Sequence, residues 1–125
     1  MNEDIYILDD DKPTLEIIEN ILKSNRFKVR TFSSPSSLID RLGVKVPKLL
    51  ILDILMPEIN GLKLCEKLRA MEGLEDVPIV ILSSKVSGSD KKEAFRSGAN
   101  GFITKPFNAR ELVFAIKTYI NLPKI

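Results

Sequence analysis

The sequence contains no histidine. For this chain that excludes histidine triads, histidine general bases, imidazole metal ligands and a phosphohistidine of its own. A metal bound here would be a hard ion held by oxygens, such as magnesium (Mg2+). With one cysteine, Cys65, no disulfide can form within the chain, which fits a reducing compartment. Its spacing with Leu62 and Leu68 predicts the buried face of a helix rather than a reactive thiol. No apolar run is long enough to span a bilayer, and acidic residues follow Met1 almost at once, unlike a signal peptide. A cytoplasmic location without membrane contact is therefore expected. The formal net charge is only +2, with acidic and basic residues interspersed, so nothing suggests nucleic-acid binding.

What is present suffices for one domain, residues 1–125, able to bury a core without disulfides or structural metal. Hydrophobic residues make up 44% and charged residues 29%, an ordinary globular balance. The apolar residues come in short runs. Leu49-Leu50-Ile51-Leu52 ends in Asp53 and reads as a strand buried on both faces of a parallel sheet. Ile5-Tyr6-Ile7-Leu8 ends in Asp9-Asp10-Asp11, and Pro78 to Leu82 ends in Ser83-Ser84. Phe27 to Phe32 and Phe102-Ile103-Thr104 supply two more strands, the last reaching Lys105-Pro106.

Helical signals alternate with these runs. Lys12-Pro13-Thr14 opens a helix with Leu15, Ile18, Ile21 and Leu22 as its apolar stripe. Ser34-Pro35-Ser36 starts a short helix carrying Leu38, Ile39 and Leu42, with Gly43 as its stop. After the turn at Asn60-Gly61 a third helix points Leu62, Cys65 and Leu68 inward. Asp90 and Glu93 form a plausible capping pair for a fourth, and Gly98 to Gly101 forms a turn. The last helix runs from about Asn108 to Ile120, with Leu112, Ala115, Ile116, Tyr119 and Ile120 on one face and Phe114 exposed opposite. Five strand–helix repeats predict an α/β fold, a doubly wound five-stranded parallel sheet joined by right-handed crossovers.

In such a sheet the carboxyl ends of the strands form the ligand-binding edge. Asp9, Asp10, Asp11, Asp53, Ser83 and Lys105 all stand there. Taken singly, Asp53 could cap a turn, Asp11 reads best as the cap of the first helix, and Ser83 and Lys105 say little. Taken together, clustered carboxylates repel unless cations neutralise them. Lys105 supplies one charge and a divalent ion could supply the rest. A carboxylate, a metal, a lysine and a hydroxyl are the parts required to accept a phosphoryl group on aspartate.

These residues, with Asp53-Ile54-Leu55-Met56-Pro57, Asn60-Gly61 and Lys105-Pro106-Phe107, resemble the receiver domain of two-component response regulators, the CheY-like family, over the whole chain. The resemblance implies the flavodoxin-like strand order 2-1-3-4-5. It also implies that Asp53 is phosphorylated by a sensor histidine kinase or a histidine phosphotransfer protein. Asp9, Asp10, Asp53 and the backbone carbonyl of Leu55 would hold magnesium. Ser83 and Lys105 would bind phosphoryl oxygens, the Lys105-Pro106 bond would be cis, and Phe102 would be the switch aromatic that moves inward as Ser83 is drawn to the phosphoryl group. The domain would act as a switch on an output partner, not as an enzyme on other substrates. Phe114 would be either an ordinary surface residue or an anchor for a partner, or for a phosphorylation-dependent homodimer through the last two helices and strand. Leu55 and Lys85 would flank the path of hydrolytic water and favour a long-lived phosphoryl group.

Serine and phenylalanine stand at Ser83 and Phe102 where the family often has threonine and tyrosine, and Asn60 stands where Asp is frequent. A haloacid-dehalogenase-type phosphatase fits less well, because that family has a second Asp where Leu55 stands. A flavodoxin-like nucleotide binder would not place three aspartates at its phosphate loop. An unphosphorylated pseudo-receiver would have no use for an intact acidic pair with Asp53 and Lys105. Leu122-Pro123-Lys124-Ile125 reads as the start of a linker or the end of a stand-alone receiver.

Overall fold

Runs of bulky aliphatic residues favour the pleated conformation and, inside a parallel sheet, lose both faces to helices. In the computed structural model, which describes residues 4–53, 60–84 and 88–121, such runs form the wholly buried β1 (Ile5–Leu8), β3 (Leu49–Asp53) and β4 (Ile79–Ser83), while the mixed segments β2 (Val29–Phe32) and β5 (Gly101–Thr104) are the partly exposed edge strands. They alternate with α1 (Lys12–Ser24), α2 (Pro35–Leu42), α3 (Gly61–Arg69), α4 (Gly88–Arg96) and α5 (Ala109–Ile120). Every strand pairing is parallel, and the order β2-β1-β3-β4-β5 is the one expected.

Successive strand residues point to opposite faces, so each apolar run feeds two cores. Tyr6, Leu8, Leu50 and Leu52 pack with Leu38, Leu64, Cys65, Leu68 and Ala94 of α2, α3 and α4. Ile5, Ile7, Leu49, Ile51 and Val80 pack with Leu15, Ile18, Leu22, Leu112 and Ile116 of α1 and α5. Tyr6 is the one β1 side chain with a polar atom, and it is fully buried. Its hydroxyl donates to the Lys45 carbonyl (2.9 Å) and accepts from Arg41 Nε (3.2 Å), so burial leaves no polar atom unsatisfied. Cys65 is buried, and desolvation pushes its thiol up to about 11, which keeps it inert at neutral pH.

Several boundaries differ from the sequence reading, each for a local reason. β2 begins at Val29 rather than Phe27, because the Phe27 N–H bonds back to Leu22 O (3.0 Å) in a turn with Arg26 at φ 68°. Gly43 ends α2 in the right-handed region (φ −70°), so its left-handed freedom is unused. Asp90 lies inside the first turn of α4, where it faces the positive helix end but cannot be the extended cap residue. In α3 the buried positions are Gly61, Leu64, Cys65 and Leu68. Leu62, expected inward, is only partly covered, because the helix phase set from Gly61 favours Leu64. Gly101 belongs to β5, not to the preceding turn, and a Cβ there would lie 2.1 Å from Tyr119 Cζ.

Arg69, at the end of α3, was not singled out by the sequence. Its guanidinium donates to the carbonyls of Leu74, Glu75, Val77 and Gly98 and to Asn100 Oδ1. One side chain thus fastens the two connections that enter β4 and β5.

Candidate functional site

The parallel register sets the site. Leu8 lies level with Phe32 of β2 and Leu52 of β3, so the next residues, Asp9 and Asp53, leave neighbouring strands side by side. Asp53 lies level with Leu82, and Ser83 with Thr104, which brings Ser83 and Lys105 to the same edge. Carboxylate oxygens of Asp9, Asp10 and Asp53 all lie within 4.8 Å of one another. Asp9 is wholly buried, Asp53 nearly so, and Asp10 is exposed.

Lys105 reaches across this cluster. Its Nζ lies 3.1 Å from Asp9 Oδ2 and 3.5 Å from Asp53 Oδ1. Burial is the largest single influence on this ammonium and pulls its pKa down. The Asp9 hydrogen bond, with the charges of Asp9 and Asp53, outweighs it, and the net shift is upward. Among the described residues, one ammonium against three carboxylates leaves a formal excess of two negative charges at a partly enclosed edge. With only oxygen donors, that set fits a hard divalent cation rather than zinc or copper.

The backbone orients the acids. Asp9 Oδ1 accepts the Asp11 N–H at 2.9 Å. The Asp11 carboxylate turns away to α1, accepting the Thr14 N–H (3.2 Å) and the Thr14 hydroxyl. Asp11 is thus the helix cap, as read from the sequence, and its amide adds a contribution that residue type could not signal. The Lys105 N–H donates to Ser83 O (2.8 Å), tying the end of β4 to the residue bearing the ammonium. Ser83 is buried, and Phe102 is half-buried against the core under α2, α3 and α4. The Lys105-Pro106 bond is cis. The Leu55 carbonyl and Lys85 lie outside the described residues.

Beside Lys105 a groove of about 390 Å³ is lined by Thr14, Ile17, Ser84, Pro106 and Phe107. Ile17 is 56% exposed. It was legible in principle, because it falls out of phase with the Leu15, Ile18 and Leu22 stripe. Phe114 is exposed as expected, but it shares a groove with Asn25 at the end of α1. That groove lies on the side of α5 next to α1. Among the described residues no helix is long and apolar enough to cross a membrane.

The profile of the response regulator receiver domain matches residues 5–117. The chain is 36% identical over 118 residues to the response regulator protein TmoT of Ectopseudomonas mendocina, covering 94% of this chain and 53% of that protein. It is 34% identical over 116 residues to the heme response regulator HssR of Staphylococcus epidermidis, covering 91% and 50%. The chain thus spans about half the length of the curated relatives it matches. Its fold superposes on the receiver domain of NtrX from Brucella abortus with a TM-score of 0.87 at 25% identity, over 96% of this chain and 100% of that one.

Proposed function

The chain belongs to the response regulator receiver domain family of two-component signalling, and from that premise we propose that Asp53 accepts a phosphoryl group from a phosphohistidine donor in a magnesium-dependent reaction. The observation that carries this reading is the Lys105 ammonium lying between Asp9 and Asp53 inside the three-carboxylate cluster. In this reading an Asp53 oxygen attacks phosphorus, the donor's N–P bond breaks, and the departing imidazole takes up a proton. Lys105 pairs with one phosphoryl oxygen, and the Ser83 hydroxyl donates to another. Asp9, Asp10, Asp53 and the Leu55 carbonyl would hold magnesium, which when bound would supply further positive charge for the phosphoryl oxygens. Asp9 is kept in place by the Asp11 amide.

The donor is a sensor histidine kinase or a histidine phosphotransfer protein. The apolar groove with Ile17, Pro106 and Phe107 lies beside Lys105 and offers a surface on which such a protein could rest. The receiver then acts on an output partner, with Phe102 moving inward as Ser83 is drawn to the phosphoryl group. Self-association on phosphorylation would use the last two helices and strand, α4, α5 and β5, where Phe95 of α4 is 52% exposed. Nothing in the site favours the phosphatase or pseudo-receiver readings over this one.

Incubation with acetyl phosphate and magnesium, followed by intact-mass measurement and peptide mapping, tests the proposal. One phosphoryl group is expected, on the peptide containing Asp53, and none on Asp53→Asn. An equal adduct on that variant would remove Asp53 from the role.

The acidic cluster carries a second expectation. Asp10 is the exposed carboxylate of the three and adds repulsion to two buried neighbours. Asp10→Asn should raise the metal-free melting temperature by about 2–4 °C while weakening magnesium binding. Thermal melts with and without magnesium read both effects. A variant that melts lower under both conditions would mean that Asp10 is structural.

A further inference from the structure

On the face of α5 away from its buried Leu112 and Ile116, Phe114 stands 73% exposed. It lines a groove of about 390 Å³ with Ala109, Val113, Arg110, Lys117 and Asn25. Arg110 and Lys117 lie four residues before and three after Phe114, one helical turn to either side. Both are exposed, neither forms an ion pair with another described residue, and no carboxylate lines the groove. The surface is therefore an aromatic anchor between two free cations. Aromatic residues and arginine are the side chains most often found at binding hot spots.

We propose that this groove docks an acidic amphipathic helix of a partner protein. Phe114 enters the apolar face of that helix, and Arg110 and Lys117 pair with its flanking carboxylates. The same charges argue against a second copy of this chain. A two-fold axis through Phe114 would set Arg110 of one copy opposite Lys117 of the other, cation against cation. Two cations around one aromatic residue also fall short of the four to eight basic residues typical of a lipid-headgroup surface.

The test uses the full chain and a fluorescein-labelled 18-residue helical peptide with leucines at helical spacing on one face and glutamates beside them. Fluorescence anisotropy should show saturable binding that weakens as salt rises. Phe114→Ala should weaken binding by about 10-fold or more, and Lys117→Glu similarly. The same peptide with lysines in place of glutamates should not bind. Circular dichroism on the variants checks that these exposed substitutions leave the fold intact. Absence of saturable binding, or binding indifferent to Phe114→Ala, would overturn the proposal. Tighter binding to vesicles containing phosphatidylserine, lost in the same variants, would reassign the groove to membrane. Self-association that Phe114→Ala abolishes in ultracentrifugation would reassign it to a second copy.

Discussion

Replacing Lys105 by methionine is expected to slow phosphoryl accumulation on Asp53 by about 10²–10³-fold, the usual effect of deleting one donor aimed at developing oxyanion charge. Methionine keeps most of the aliphatic stem and removes only the ammonium that lies 3.1 Å from Asp9 and 3.5 Å from Asp53. The fold should weaken as well. Asp9 is wholly buried, and breaking a fully buried ion pair costs about 3–5 kcal/mol. Lys105 is about a quarter exposed, so roughly 2 kcal/mol is expected here. Magnesium should recover more stability in the variant than in the parent, since it then replaces the positive charge that Lys105 had placed beside Asp9 and Asp53. Time courses of acyl-phosphate formation and denaturant melts measure both effects. A variant that phosphorylates at the parental rate would take Lys105 out of the chemistry.

The pH dependence of that difference has a definite sign. The folded state holds the Lys105 proton more tightly than the unfolded chain does. Its contribution is therefore fully present below the ordinary lysine pKa of about 10.4 and is lost as pH rises through the higher folded value. The stability gap between parent and Lys105→Met should stay flat through neutral pH and narrow only above about pH 10.

Arg69→Ala is expected to cost about 3 kcal/mol, lowering the melting temperature by roughly 10–15 °C. Nη1 donates to the carbonyls of Leu74 (2.7 Å), Glu75 (3.1 Å) and Val77 (2.8 Å). Nε and Nη2 both reach Gly98 O, at 3.2 and 2.9 Å, and Nη2 also reaches Asn100 Oδ1 at 2.8 Å. That same Asn100 oxygen accepts the Ile79 N–H at 2.9 Å, so the guanidinium helps hold the first residue of β4. A hydrogen bond to a charged group contributes about 1.5–3 kcal/mol alone. The five acceptors do not sum, because water can reach several of them once the side chain is gone. Arg69→Lys should lose most of the same stability, since a single ammonium cannot span carbonyls arranged for a planar fork. Urea melts at constant m-value would measure it. A loss under about 1 kcal/mol would show that the clamp is solvent-replaceable. Gly98 belongs to this unit. Its φ is +104°, and an added Cβ would meet Arg69 Cγ at 3.1 Å, so the glycine is required by both backbone and neighbour.

The strands, the helices and the acidic edge were legible in the chain because each rests on short-range order. Four apolar residues in succession specify a strand that is buried on both faces wherever it lies. Asp11, Ser34, Asn60 and Asn108 cap helices through side chains that reach only two or three residues ahead. A parallel sheet then delivers whatever ends its strands to one edge, so Asp9, Asp53, Ser83 and Lys105 could be grouped before any contact was known.

Other features were decided by packing between distant segments, for which a linear pattern carries no signal. The Lys105–Asp9 contact joins residues 96 positions apart, and its geometry follows from the register of four strands. Arg69 looks like any cation in the last turn of a helix until Leu74, Val77 and Gly98 present their carbonyls to it. Periodicity put Phe114 outside, but which neighbour it faces depends on how α5 lies across the sheet beside α1. Gly101 reads as a turn residue, yet its backbone is pressed against the Tyr119 ring. Local propensity selects the elements, whereas close packing of the two helical layers sets which side chains meet.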